Sequence, residues 1–540
     1  DVACRARNVE DPRVEMERRF GRAGELHDGW TWDTTPCLGC CERGSAALVE
    51  RFGSSPERLT FAPFDLDALS ELLAPATQAT TQATAPAAQA TTRATTQVPV
   101  SAAASVPGGR AAGVAVQDVP QTHSDPQSLR VLRRVGIVDP GSLDSYRAAG
   151  GLQSLREAIA IGPTGVLREL KDAKLAGRGG AAFPTSVKWD SVARNPVHPH
   201  FVICNADESE PGTFKDRILM ENDPFSIIES MIIAGFTTGS DRGYLYVRGE
   251  YPLAEQRILH AVGEARSRGL LGDDVMGAGF RFDIEVRRGA GAYIAGEETA
   301  LFNSIEGRRP EPRNKPPFPV DAGLFGKPTA INNVETLCNV LEVLAMGGLA
   351  YAATGTSGST GTRLFCVSGS VELPGLYEVP FGVSLRHLLE LAGGVRSGHD
   401  LAAVLIGGAA GSFIGPDQLD LELSMEAARD AGVMLGSGVI VVFDTATDFD
   451  HVVRRITRFF RDESCGQCVP CRVGTTRLEE LVGRLVERRT LGGRGDELAL
   501  LADLGTVMRD ASICALGQTA TSAVESAVRL GIFAGAEEGS

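Results

Sequence analysis

Phe201-Val-Ile-Cys204-Asn205-Ala-Asp207-Glu208-Ser-Glu210 is the stretch whose reading decides the fold of this chain. Its apolar start reads as a buried strand, and the run after it places three carboxylates within four positions. Tyr244-Leu-Tyr-Val247 and Phe282-Asp-Ile-Glu-Val286 read as further strands, separated by longer helical segments such as Leu253 to Arg268. Strands alternating with helices predict an α/β layer structure, and such folds bind ligands beyond the carboxyl ends of their strands. The acidic cluster sits at such an end. Carboxylates this close repel one another, so a solvated acidic turn is the bland alternative to a ligand loop.

Working outward, Ser128 to Ala173 alternates helical stretches with Pro/Gly turns. From Thr362 to Phe443 the pattern changes to short strands around one helix, Ser384 to Ala392, which predicts a smaller α+β module; Val433 to Phe443 reads as its buried strand. After Asp450 the signal is helical: Val452 to Arg461, Thr475 to Arg489, Asp496 to Met508 and Thr519 to Leu530. The expected units are 1–74, a linker 75–124, an α/β unit 125–355, the α+β module 356–445 and a helical bundle 446–540. The linker, dominated by Ala, Thr, Gln and Pro, cannot bury enough apolar surface to offset backbone entropy and is expected to be disordered.

A chain of 540 residues with a net charge of -15 has ample core and no basic surface for nucleic acid or anionic membrane. It shows no apolar signal core at Asp1-Val-Ala-Cys4 and no membrane-length apolar run, so a cytoplasmic protein without direct membrane insertion is expected. Its eleven cysteines do not suggest a disulfide framework, because most fall in two tight groups, with Cys4 and Cys514 apart.

Cys465-Gly-Gln-Cys468-Val-Pro-Cys471 supplies three thiols at two-residue gaps, and Cys514 a fourth, 43 positions beyond Cys471. Clustered threes with a distant fourth suit a cubane [4Fe–4S] cluster, whereas structural zinc more often takes two separated pairs. The loop is expected to run into a helix N-terminus, which favours thiolate charge.

Several motifs resemble one family: the NADH-oxidising flavoprotein subunit of respiratory complex I, whose core recurs in NAD-dependent molybdenum or tungsten formate dehydrogenases and NAD-reducing hydrogenases. They are Gly177-Arg-Gly179-Gly180-Ala-Ala-Phe183-Pro-Thr-Ser-Val-Lys188-Trp189, the run from Cys204 to Arg217, Gly289 to Leu301, Lys315-Pro-Pro-Phe318 and Ile331-Asn332-Asn333-Val-Glu-Thr336, with the cysteine set. The likeness spans about 128–535. It implies an α/β domain for FMN and NADH, a small β-grasp-like domain and a helical bundle holding [4Fe–4S]. It also implies an N-terminal thioredoxin-like ferredoxin domain, since Pro36-Cys37-Leu-Gly-Cys40-Cys41 resembles half of a [2Fe–2S] site. Only Cys4, Cys37 and Cys41 match that pattern, with Val9 where a fourth ligand is usual. Either Cys40 substitutes or the site is degenerate and empty.

The resemblance further implies that Gly177, Gly179, Gly180 and Lys188 hold the flavin phosphate with Asn332, Asn333 and Thr336. Asn205, Asp207 and Glu208 would face the flavin ring and ribityl chain, and Tyr293, Gly296 and Glu297 would complete the pocket. Glu210 would lie beside the nicotinamide and Glu298 on a ribose, the two residues expected to matter most for hydride transfer and for preferring NADH to NADPH. Lys315, Phe183 and Phe318 would hold the adenosine end. Local readings stay open beside these: a helix N-cap for the Asn pair, a core residue after a Pro-Pro turn for Phe318, ordinary turns for the glycines. Ala182 and Ser186 stand where relatives commonly carry glycine, and Ser191 where they carry an aromatic.

The implied activity is a diaphorase: hydride exchange between NAD(H) and FMN, with single electrons relayed to partner subunits. Fusion to the ferredoxin-like unit points away from complex I, and Gly517-Gln518 after Cys514 resembles the formate dehydrogenase and hydrogenase relatives; likeness alone favours a formate dehydrogenase, with a molybdenum or tungsten catalytic subunit and a small [2Fe–2S] ferredoxin-like subunit as partners. A hydrogenase or complex I is the alternative within the class. A non-catalytic, zinc-stapled scaffold subunit is the alternative outside it.

Overall fold

The computed structural model describes residues 13–25, 30–34, 38–41, 43, 45–51, 57–62, 64–73, 122, 128–396 and 398–533. The expected linker lies outside them apart from Thr122, as do Cys4 and Cys37. The described part of the N-terminal unit contains the antiparallel pair β1 (Ala47–Arg51) and β2 (Glu57–Phe61), with helices Arg13–Phe20 and Leu66–Leu73.

The central unit is built on four parallel strands: β3 (Phe201–Ala206), β4 (Arg242–Val247), β5 (Asp283–Arg288) and β6 (Thr329–Asn333), in the order β5-β4-β3-β6. Side chains alternate across this sheet. Val202, Cys204, Leu245 and Val247 enter the main core, while Phe201, Ile203, Tyr244 and Tyr246 pack on the other face with Leu301, Phe302 and Ile305 of helix Glu298–Ile305. Both faces are covered, which is why the strands read as continuous apolar runs. The fourth strand escaped the sequence reading because it is short and ends in two asparagines. From β3 the chain steps outward to β4 and β5, then returns to pair β6 on the opposite side of β3, with Asn205 opposite Asn333. The connections diverge at that point, the place where open α/β sheets bind ligands in a crevice beyond the carboxyl ends.

The second sheet contains β7 (Thr362–Gly369), β8 (Gly375–Pro380), β9 (Leu401–Ile406), β10 (Ser412–Ile414) and β11 (Val439–Asp444), in the order β10-β9-β11-β7-β8. Phe365, Val367, Ile440 and Val442 pack under helix Leu385–Leu391, whereas Leu364, Cys366, Val439 and Val441 join the main core. The expected strand Val433 to Phe443 is shorter than read: its first half is a turn in which Gly436 and Gly438 adopt φ of 54° and 90°. The C-terminal helices Phe449–Glu463, Val469–Val486, Arg494–Ala511 and Ser522–Arg529 form the bundle. No helix among the described residues is long and apolar enough to cross a membrane.

Candidate active site

The loop Gly177 to Phe183 packs against the start of helix Val334–Met346. Its Arg178 N–H donates to Thr336 Oγ1 at 2.8 Å, and a Cβ on Gly179 would come within 3.1 Å of Asn333 Cβ. A side chain there would press on Asn333, so glycine eases this approach. Gly180 has φ of 121°, and Ala182 a left-handed φ of 52°, so the position where relatives carry glycine does need that conformation here. Ser186 lies in helix Thr185–Ala193 and needs no such freedom. Replacing Ala182 with glycine should stabilise the chain by about 0.5–1 kcal/mol, measured by denaturant unfolding, because it removes strain that outweighs the added chain entropy.

At the end of β3, Asn205 Nδ2 donates to the Gly296 carbonyl at 2.8 Å. Asp207 is buried, its Oδ1 has no hydrogen-bond partner, and burial, opposed by Arg248, pushes its carboxyl up to about 8. A buried acceptor left open at a strand end fits a ligand N–H. Glu208 departs from the expectation. Its carboxylate turns inward and accepts from Thr213 Oγ1 (2.9 Å), Asp216 N (3.0 Å), Arg217 N (2.9 Å) and Tyr251 OH (3.2 Å), capping helix Lys215–Asn222 instead of facing the crevice.

Glu210 is held by groups distant in sequence. Tyr293 OH donates to its Oε2 at 2.5 Å and Ala410 N to its Oε1 at 3.0 Å. Burial raises its carboxyl, and these donors oppose that. Glu297 is a helix cap: Oε2 accepts from Thr299 N and Ala300 N at 2.8 and 2.9 Å. Glu298 lies between two cations, Lys315 Nζ at 2.6 Å and Lys188 Nζ at 3.9 Å. Lys188 donates to the Ile331 carbonyl at 2.8 Å; burial lowers its pKa while Glu298 raises it. Phe183 and Phe318 are 51% and 53% exposed, so Phe318 is no core residue. Asn333 follows its local reading, accepting from Glu335 N as N-cap of helix Val334–Met346 and donating to Asp216 at 2.6 Å. Asn332 accepts from Trp189 Nε1 at 2.8 Å.

Cys465, Cys468, Cys471 and Cys514 line one cavity with Ile294, Ser464 and Leu516. Cys468 is the N-cap of helix Val469–Val486, which puts Cys471 in its first turn, earlier than the sequence suggested. Burial pushes the Cys471 thiol up to about 12 and the Cys514 thiol up to about 11, and a bound metal would favour their thiolate forms. Among the described residues no three His, Cys, Asp or Glu side chains are grouped to hold one metal ion. Four thiols around a shared hole fit the four corners that a cubane cluster needs.

Comparison with known proteins agrees with this geometry. Residues 170–342 match the Nuo51 FMN-binding domain, 364–410 the SLBB domain and 451–530 the NADH-ubiquinone oxidoreductase-F iron-sulfur binding region. An NADH-quinone oxidoreductase-F protein of Rhizobium meliloti is 43% identical over 403 residues, 74% of this chain and 94% of that protein. The chain belongs to the NADH-quinone oxidoreductase-F family. This family member is also 40% identical to NADP-reducing hydrogenase subunit HndC of Solidesulfovibrio fructosivorans, over 74% of this chain and 81% of that one. It is similar in structure to an NAD+-reducing [NiFe]-hydrogenase in the H2-reduced state, with a TM-score of 0.75 and 30% identity over 98% of this chain and 78% of that chain. It is thus a flavoprotein oxidoreductase subunit of the NADH dehydrogenase type, with FMN and a [4Fe–4S] cluster as its cofactors and NADH fitting as its substrate. The zinc-stapled scaffold is set aside, because the four cysteines fall within the matched iron–sulfur region.

Proposed function

We propose that this chain is the diaphorase subunit of a cytoplasmic NAD-dependent formate dehydrogenase whose molybdenum or tungsten centre lies on a partner subunit. When bound, FMN supplies two-electron chemistry toward nicotinamide and one-electron chemistry toward iron–sulfur centres. The glycine loop, Lys188 and Asn332 would hold its phosphate, and Asn205 and the open Oδ1 of Asp207 its ring and ribityl chain. Glu210 would accept the nicotinamide carboxamide N–H and orient the ring, without acting as acid or base. Phe183 and Phe318 offer stacking faces for adenine, and Glu298 with Lys315 would bind a ribose. Thr336, Asn333, Glu208 and Glu297 act one step back, by holding the loops.

One observation carries the diaphorase part of this reading: Tyr293 links the Glu210 loop to the cysteine loop. Its hydroxyl donates to Glu210, and its N–H donates at 2.9 Å to Glu463, two residues before Cys465. Anaerobic NADH titration of the full chain, followed by absorbance and EPR with iron and flavin assays, tests it. Flavin bleaching together with a reducible cluster is expected; the absence of both would overturn the reading. Iron beyond one cube would support occupancy of the N-terminal cysteines.

Glu298 leads us to expect NADH in preference to NADPH, because a carboxylate repels a 2′-phosphate. In Glu298→Gln, Lys315 keeps only Glu297, at 3.0 Å, as its carboxylate partner, so the site becomes less negative and repels that phosphate less. The ratio of kcat/KM for NADPH to that for NADH should rise about tenfold, equivalent to about 1.4 kcal/mol.

The second reading, a component of an NAD-reducing hydrogenase, is favoured by the similarity to the hydrogenase chain over 98% of this one. Metal analysis of the native complex distinguishes the two: molybdenum or tungsten with formate-dependent NAD+ reduction, against nickel with H2-dependent reduction.

A further inference from the structure

Glu463 is an unexpected residue for its position. It ends helix Phe449–Glu463, where the helix dipole disfavours negative charge, and it is half-buried near Glu250 and Asp462. What it gains there is the Tyr293 N–H at 2.9 Å and the nearby positive charge of Arg248. The Tyr293 ring leans on Phe459 of the same helix, with centroids 5.1 Å apart. From this anchored residue the hydroxyl reaches Glu210 Oε2.

The other side of Glu210 is equally confined. Ala410 N donates to Oε1, and a Cβ on Gly408, which has φ of 77°, would lie 2.6 Å from Glu210 Cγ. Three parts of the fold therefore converge on one carboxylate: its own strand-end loop, the glycine turn of the second sheet and, through Tyr293, the cluster bundle. A glutamate has three side-chain torsions, and without a fixed donor on each oxygen it would not hold a single orientation.

We propose that Glu463 is a positioning residue for hydride exchange: through Tyr293 it fixes Glu210 and so makes the nicotinamide site depend on the cluster bundle. This rests on Glu210 being the residue beside the nicotinamide. A misplacement of about 1 Å at such a group is worth up to roughly a hundredfold in rate, and partial loosening is expected to be worth about tenfold.

The test uses the full chain loaded with flavin and iron, with NADH-driven flavin bleaching followed by stopped flow. Glu463→Ala should retain wild-type iron and flavin and the wild-type cluster EPR signal, yet bleach about tenfold more slowly. Glu463→Gln keeps a carbonyl oxygen to accept from Tyr293 N–H and should recover to within about twofold of wild type. In a Glu210→Gln or Tyr293→Phe background, Glu463→Ala should add less than about twofold, since members of one unit are not additive. An undiminished effect in those backgrounds, a rate loss that only tracks lost iron, or an unchanged rate in Glu463→Ala overturns the strut. If Glu210→Gln itself bleaches normally, the reading of Glu210 fails and takes the strut with it.

Discussion

Cys471→Ser should still bleach its flavin with NADH but deliver electrons to a one-electron acceptor protein at least about a hundredfold more slowly. Cys471 is the most buried of the four proposed ligands, 4% exposed, and sits in the first turn of helix Val469–Val486. Ser464 Oγ lies 3.4 Å from its sulfur, and Thr475 Oγ1 donates to its carbonyl at 2.9 Å. A ligand this enclosed cannot be replaced by a neighbouring side chain. A serine hydroxyl is a much harder acid to ionise than a thiol and a poor partner for iron, so the cube should be lost or reduced to a three-iron form. Gly517→Ala should act in the same direction by sterics alone. Its added Cβ would sit 2.4 Å from Ser512 Oγ and 2.9 Å from Cys471 Cβ. Iron per chain, the EPR spectrum of the reduced protein and stopped-flow bleaching check both variants. A Cys471→Ser protein that retains a full, reducible cluster and wild-type onward transfer would remove this cysteine from the ligand set.

The sequence identified where the chemistry lies better than which way each side chain turns. The acidic run after Cys204 is at a strand end, as its pattern suggested, because a strand's burial on both faces is written in consecutive apolar residues. Which carboxylate faces the crevice is decided by groups far along the chain. Glu208 is drawn inward by the N–H groups that open helix Lys215–Asn222, Glu297 by those of Glu298–Ile305, and Asn333 by its own helix. Such capping is local chemistry and was legible for Asn333, though Asn332 instead accepts from Trp189; the helix starts behind the two glutamates were not read. The clasp on Glu210 comes from Ala410, 200 positions away, and nothing in local periodicity links the two. The run Gly407-Gly-Ala-Ala-Gly411 was the available signal, since so many small residues invite a close approach. Buried cations were the larger omission. Arg178, Lys215 and Arg363 read as surface residues by type but are 1%, 0% and 0% exposed, and the groups they meet, such as Thr360, Glu335 and Gly436, lie far along the chain.

Lys215→Met should destabilise the chain by about 3–5 kcal/mol, the usual range for breaking a buried charge network on one side. Lys215 Nζ meets Asp216 Oδ1 at 2.8 Å, Glu335 Oε2 at 3.0 Å and Asn333 Oδ1 at 3.1 Å. Glu335 Oε1 in turn accepts from Leu364 N at 3.0 Å, so this one ammonium ties the N-terminus of helix Val334–Met346, the acidic loop and the first strand of the second sheet. Methionine fills a similar volume and leaves the carboxylates without the ammonium that touches them, Arg363 being the other buried cation that acts on Glu335 and Asp216. Burial and Asp216 already push Glu208 up, and Lys215 pulls it down. Without Lys215 that carboxyl rises further, so the folded variant binds its proton more tightly than the unfolded chain does. Stability of the variant should therefore recover as pH falls and worsen as pH rises through the neutral range. In the native chain Asp216 and Glu335 outweigh burial and raise the Lys215 pKa, so its contribution is present below the ordinary lysine value and constant from pH 6 to about 9. Guanidinium unfolding of the full chain, followed by tryptophan fluorescence in which buried Trp189 reports the central unit, measures both effects. Lys215→Met/Glu335→Gln should regain part of the loss, because one of the unpaired charges goes with it. A deficit under about 1 kcal/mol, or one insensitive to pH between 5 and 8, would mean that water reaches these carboxylates and that the network does not bind the domains together.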